Sequence, residues 1–236
     1  MPISHKELYH FGLVSRVNVL HFAMGFASIE IVKMLLDSGA NPNAMAALGL
    51  DALMIASITG RVQNIKCWLD FLPDWDVNRR AKLYGSTVLH VAATFGRNKL
   101  DTVRVLVESG RVNVNCITYN GLSVLFNAAE SDDASVDVVR YFLRLSLKCG
   151  INYQTKARTI LWQTLFGLSR ALYRLRVRSG IVTDLAMNSG LTPLHAAISN
   201  GDLEIVEYVL TDFCTHTHSL TRDIHTYIYI YISGFF

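Results

Sequence analysis

Three histidines stand in like company along this chain. His21 lies three residues after Asn18, His90 three after Thr87, and His195 three after Thr192. Imidazole beside a hydroxyl is a pairing used in nucleophilic catalysis, and histidine is a common metal ligand. A site of that kind is built once, however, and this pairing recurs. Recurrence favours a structural role, in which each ring joins Thr or Asn and nearby backbone in a polar seam. Other candidates for chemistry are weaker. Gly167-Leu-Ser169-Arg-Ala171 has the spacing of a nucleophile elbow but sits in a helical pattern. Asp132, Asp133 and Asp137 do not fit a calcium loop and read as a solvated turn. Cys214, His216 and His218 match no standard structural zinc spacing. The sequence has no phosphate-cradling glycine loop and no HExxH. No catalytic residue, metal or cofactor is expected, and the chain reads as not an enzyme.

Composition narrows the class. The 236 residues are 51% hydrophobic and 17% charged, with only 4 prolines, which excludes a disordered chain and favours helices. A net charge of +3 is too small to argue for nucleic acid. The four cysteines, at 67, 116, 149 and 214, form no CxxC pair and read as free thiols in a reducing compartment. The first twelve residues lack the apolar core of a secretory signal. The most apolar long stretch, 11–36, is broken by Arg16, His21, Glu30 and Lys33. An intracellular monomer, cytoplasmic or nuclear, with no membrane binding is the expectation.

The elements that carry the histidines repeat. "TPLHAAISNGDLEIVEYVL" at 192–210 has relatives beginning near residues 18, 51, 87 and 123. The positions matching His195 are His21, Met54, His90 and Phe126, at intervals of 33, 36, 36 and then 69. The last interval has room for two units and predicts a mark at Trp162. Three residues before the six marks stand Asn18, Asp51, Thr87, Ser123, Thr159 and Thr192, all side chains that cap helix N-termini. Two residues after them stand Ala23, Ala56, Ala92, Ala128, Thr164 and Ala197, small except at Thr164. Gly39 and Gly180 each follow their mark by eighteen residues and suit helix ends that need a positive φ. Each unit thus reads as two short antiparallel helices and a turn. In the last unit the first helix runs near 193–200, Gly201-Asp202 turns, and the second helix runs near 203–211. One pair cannot bury its apolar face, whereas stacked neighbours can.

These residues resemble the ankyrin repeat family. The period near 33, "TPLHAA" (Thr192, Pro193, Leu194, His195 and the two alanines), "GDLEIVEYVL" and "LLDSGANPNA" carry the likeness. It covers 13–212, after a lead-in of 1–12, as about six units with a degenerate fifth near 156–187. The resemblance implies an all-α solenoid of stacked helix-turn-helix units joined by short β-turns, a scaffold that binds proteins without catalysis. An alternative is a regulatory or substrate-recruiting segment of a larger enzyme or channel. The longer intervals imply insertions near 71–75, near 97–101 and near 130–135 or 144–149, the first placing Phe71 and Trp75 in a loop.

The family's binding positions lie on the turn tips and the exposed ends of the first helices. By register these include Phe26, Ile58, Tyr84, Phe95, Tyr119, Arg158 and Phe166, an apolar strip with a basic end. A protein partner with apolar anchors and acidic flanks would suit it; its identity has no readable code. The stretch "TILWQTLFGLSRALYRLRVRSG" (159–180) admits three readings: membrane-surface helix, target of a calcium sensor, or core. The repeat register selects the third, as a worn fifth unit whose arginines form a surface patch. Residues 213–236, with "THTH" and "YIYIYI", look like translated dinucleotide tracts rather than native coding sequence. As a real segment, Tyr227–Ile232 would be an aggregation-prone strand.

Overall fold

The computed structural model describes residues 16–131, 134–145, 147, 150–175, 179, 185 and 190–216. Among these lie eleven α-helices in five pairs plus one. The pairs are α1 (Val19–Phe26) with α2 (Ile29–Asp37), α3 (Ala52–Ile58) with α4 (Val62–Phe71), α5 (Val88–Phe95) with α6 (Lys99–Glu108), and α7 (Val124–Glu130) with α8 (Val136–Arg144). A single helix, α9 (Ile160–Arg174), follows, and then the last pair, α10 (Pro193–Asn200) with α11 (Leu203–His216).

Local chemistry starts each first helix where the repeat register predicts. Asn18, Asp51, Thr87, Ser123, Thr159 and Thr192 are all N-caps. The Asn18 and Asp51 carboxamide and carboxylate oxygens accept from the backbone N–H three residues on at 2.9 Å. Such a cap contributes about 1 kcal/mol. Gly201 ends α10 in the left-handed region at φ 70°, which a side chain would strain. Trp75, in the loop after α4, folds back edge-on against Trp68 with ring centroids 5.1 Å apart, while Phe71 stays 40% exposed.

Packing then builds two parallel rows. First helices stack in the order α1, α3, α5, α7, α10, and second helices in the order α2, α4, α6, α8, α11. The small residues predicted for close approach are buried in the first row: Ala23, Ala56, Ala92, Ala128 and Ala197 are each 3% exposed or less. One apolar core runs from Leu20 to Val209. Polar side chains close the helix ends inside it. Asn64 Nδ2 donates to the Met24 and Ala27 carbonyls at the end of α1, both at 3.1 Å. Arg111 donates to the Leu69, Leu72 and Trp75 carbonyls after α4. Cations and donors at a helix C-terminus meet its negative dipole end.

The row of first helices passes from α7 directly to α10, so the expected fifth unit does not stack. Asn200 of α10 reaches back to the Ala129 and Ser131 carbonyls at the end of α7, at 3.2 and 3.1 Å. Helix α9 joins neither row and belongs to a separate apolar cluster of Ala157, Trp162 and Phe166. Thr164, the exception among the small residues, is exposed to solvent on α9. Among the described residues the array has five stacked pairs, and most of the second half of the expected fifth unit lies outside them. Gly180, the predicted stop of the fifth unit, lies outside the described residues, as does most of the tail. Helix α11 continues to His216, past the break expected at Phe213.

Candidate functional site: a row of hairpin tips and an inserted helix

A short hairpin precedes each first helix after α1. Its closing bonds are Ala46 N–H to Leu50 O (2.8 Å), Ala81 N–H to Ser86 O (2.8 Å) and Thr118 N–H to Leu122 O (3.0 Å). Near each turn's end stands a glycine with positive φ: Gly49 at 78°, Gly85 at 68° and Gly121 at 97°. All three also admit close approach of the next tip, Gly85 that of the Tyr119 ring, which a Cβ there would meet at 2.6 Å. A Cβ on Gly49 would meet the Lys82 backbone nitrogen at 2.7 Å, and one on Gly121 would overlap the backbone of Lys156. Tip-to-tip bonds hold the hairpins side by side: Lys82 N–H to Leu48 O at 2.8 Å and Tyr119 N–H to Tyr84 O at 2.6 Å. Arg80 donates to the Gly85 and Ile117 carbonyls, both at 2.8 Å, with its guanidinium 5.6 Å from the Tyr119 ring centre.

The fourth hairpin makes the same bonds across a far longer stretch of chain. Thr155 N–H donates to Leu191 O at 2.8 Å, and Leu191 N–H donates to Thr155 Oγ1 at 3.0 Å. In the third hairpin, Leu122 N–H donates to Thr118 Oγ1 at 2.8 Å. The separations are 4 residues in the third hairpin and 36 in the fourth, so 32 residues are inserted at the tip. Gly190, with φ 88°, holds the place of Gly121. Helix α9 lies within that insertion, and it folds back over the neighbouring tips. The Trp162 ring stacks on Tyr84 at 5.3 Å between centroids, and its Nε1–H reaches the Leu83 carbonyl at 3.4 Å. Arg158 N–H donates to Tyr119 O at 2.8 Å, and Tyr119, Leu165 and Leu185 pack around Trp162 and Phe166.

This geometry sorts the sequence-predicted positions. Tyr84 and Phe95 are exposed, 45% and 55%, and Arg158 is exposed at the insertion root. Tyr119 and Phe26 are partly buried, Phe26 with its ring 5.0 Å from that of Phe22. Ile58 and Phe166 are buried, 4% and 1% exposed, and leave the strip. Ile58 is covered because it lies inside the row of first helices. Phe166 is covered because α9 turns it toward Tyr119. Leu48 and Leu83, at 44% and 45%, fill out the exposed tips.

The repeated histidines are structural. Nδ1 of His90 accepts from Thr87 N–H at 3.3 Å and stands 2.9 Å from Thr87 Oγ1. His195 repeats this with Thr192 at 3.2 and 2.6 Å, and His21 with Asn18 N–H at 3.3 Å. A ring accepting at Nδ1 carries its proton on Nε2. The Nε2 atoms of His21 and His90 have no partner at full hydrogen-bond distance, but carbonyls face them. Those are Ala44 and Leu50 for His21, and Leu122 and Cys116 for His90, each from the next hairpin. Burial pushes the His90 pKa down to about 4 and lowers those of His21 and His195. A neutral ring wedged between a cap and the next hairpin fills the seam between units.

Among the described residues, no group of three His, Cys, Asp or Glu side chains could hold a metal ion. Among them, too, no helix is long and apolar enough to cross a membrane. Cys67 and Cys116 are free and buried. Stacked helix pairs with bonded hairpin tips define a helical-repeat array. Family models of ankyrin repeats match residues 20–67, 53–157 and 98–219, most of the chain, which belongs to the ankyrin repeat family. Proteins of this kind generally serve as protein-interaction modules. No curated protein matches the chain.

Proposed function

We propose that the protein is a non-catalytic binding module that recognises a protein partner along its hairpin tips and the adjoining ends of its first helices. The observation that carries this reading is the set of large apolar side chains held in solvent there: Leu48, Leu83, Tyr84 and Phe95, each 44% exposed or more. Leu48, Leu83 and Tyr84 sit on hairpins tied tip to tip, and Phe95 ends the packed helix α5, so little order is lost when a partner docks, and aromatic side chains on rigid backbone make strong anchors. Lys156 and Arg158 lie exposed at one end of the row, which suits a partner with apolar anchors and acidic flanks. The motif residues His21, His90 and Thr192-Pro193-Leu194-His195 contribute stability to the array and no contact.

The test is affinity capture from cell extract with the full chain as bait, followed by titration of the captured protein. Phe95→Ala combined with Leu48→Ala is expected to weaken that protein's binding by at least about tenfold. The variant should unfold cooperatively at nearly the wild-type urea midpoint, since both side chains are exposed. Unchanged affinity would remove the tips as the recognition surface.

A further inference from the structure

Helix α9 has a second apolar face that stands exposed among the described residues. Leu161, Leu168 and Leu175 are 62%, 59% and 74% exposed, and Ile160 is 79% exposed. Residues seven apart on a helix drift only about 20° around its axis. The three leucines thus form one stripe, about 21 Å long at 1.5 Å per residue. Beside it lie the small residues Thr164, Gly167 and Ala171, all exposed. Leucines at heptad spacing with small residues alongside give the knobs and holes that a partner helix needs. The opposite face is fixed, since Trp162, Phe166 and Ser169 are buried and Trp162 is stacked on Tyr84. The stripe is therefore held outward on a rigid support.

Charge decides what would cover it. Residues 156–175 carry Lys156, Arg158, Arg170 and Arg174 and no acidic residue, and all four cations are exposed. A second copy would bring the same four cations and no acidic residue from this segment to meet them. An anionic membrane surface would match the charge, but helices that lie in membranes commonly turn Trp or Phe into the lipid. Here both aromatic rings of that kind, Trp162 and Phe166, face the protein. We propose that the outward face of α9 docks an amphipathic helix of a partner protein, one with leucine-like side chains on its seam and acidic residues along the flanks. This surface is separate from the hairpin tips proposed above and stands or falls apart from them.

The experiment uses the full chain and two labelled peptides of about three heptads each, both with Leu at a and d. One carries Glu at e and g and the other carries Lys there; like charges oppose self-pairing of either. Fluorescence anisotropy should show the Glu peptide binding at least about tenfold more tightly than the Lys peptide. Leu168→Asp should weaken the Glu peptide by a similar factor, and Leu161→Gln with Leu175→Gln serves as a milder second variant. Arg174→Glu, at the edge of the seam, should reduce the preference, while Phe95→Ala should leave it unchanged. No binding of the Glu peptide, equal binding of both peptides, or indifference to the Leu168 and Leu161/Leu175 variants would overturn the proposal. So would Leu168-dependent dimerisation of the chain, or Leu168-dependent sedimentation with phosphatidylserine vesicles in place of peptide binding.

Discussion

The third and fourth hairpins of this molecule are chemically the same and structurally unlike. Each closes with a threonine whose N–H and Oγ1 both engage a leucine, and each is followed at once by a capping Ser123 or Thr192. One spans four residues of chain and the other thirty-six. The helices that follow stack alike, α7 on α5 and α10 on α7. A repeat array therefore registers the two ends of its hairpin and is blind to the length between them. What lies between is free to fold by itself, and α9 does so with its own core of Trp162 and Phe166.

The largest effect should come from emptying equivalent sites in the two regions. Phe126 in α7 and Phe166 in α9 are both 1% exposed. Phe126→Ala opens a cavity in the shared core and should cost about 3–5 kcal/mol of global stability. Phe166→Ala should shift the global urea midpoint by less than about 1 kcal/mol, because α9 can loosen without unfolding the stack. Limited proteolysis should report the change instead, with cleavage within 156–189 accelerated. A global loss for Phe166→Ala equal to that for Phe126→Ala would join the two regions into one cooperative unit.

Acid should separate the regions next. An ordinary histidine gains its proton below about pH 6.5, whereas burial holds His90 neutral until about 4. Below 6.5 the unfolded chain binds more protons, so stability is fully present above 6.5 and is lost as pH falls toward 4. Complete loss of that contribution is at most roughly 3 kcal/mol. Burial raises the Asp51 carboxyl, which acts in the opposite sense just above 3.8, so the slope is best read between about pH 6.5 and 5. Urea midpoints across that range should fall for the wild type and flatten for His90→Asn. The 156–175 segment has no histidine or carboxylate side chain, and its protease sensitivity should stay level over the same range.

The smallest effect is expected from excising 157–189 and joining the ends through an Asn-Gly turn. Closing a loop of 36 rather than 4 residues costs about 2 kcal/mol of chain entropy. Losing the burial of Trp162 and Phe166 offsets a similar amount. The thermal midpoint should move little, and the circular dichroism signal should fall by the helix content of α9. Collapse of the fold on excision would mean that the insertion holds the stack together.

Most of the array was legible because its signals are local. Caps, buried alanines and positive-φ glycines each act within a few residues, so Asn18, Thr87 and Gly201 announce their roles in sequence. The fifth unit misled for the same reason. Thr159 does cap a helix, with Trp162 N–H at 3.5 Å from its Oγ1, but a cap says where a helix starts and not what it stacks on. An insertion of 32 residues also happens to fall near the repeat period. Two residues could have told them apart. Thr164 stands where the other units carry alanine, and Ala157 stands two residues before Thr159 where a glycine stands two before Asp51, Thr87, Ser123 and Thr192. Of the positions expected to face a partner, Tyr84 and Phe95 are exposed, whereas the burial of Ile58 and Phe166 depends on packing between units and on the path of α9. The leucine stripe went unread because, taken as a repeat, the same residues counted as core.

The bonded pair of Thr155 and Leu191 turns a linear polymer of units into a branched one. A solenoid ordinarily gains new contacts only by growing at its ends, and each added unit changes its length. Here a side arm leaves from the middle, and its root keeps the register of the stack. Two bodies, one on the tips and one on the arm, would be held within a few nanometres of each other, where the second meets the first at an effective concentration near the millimolar range.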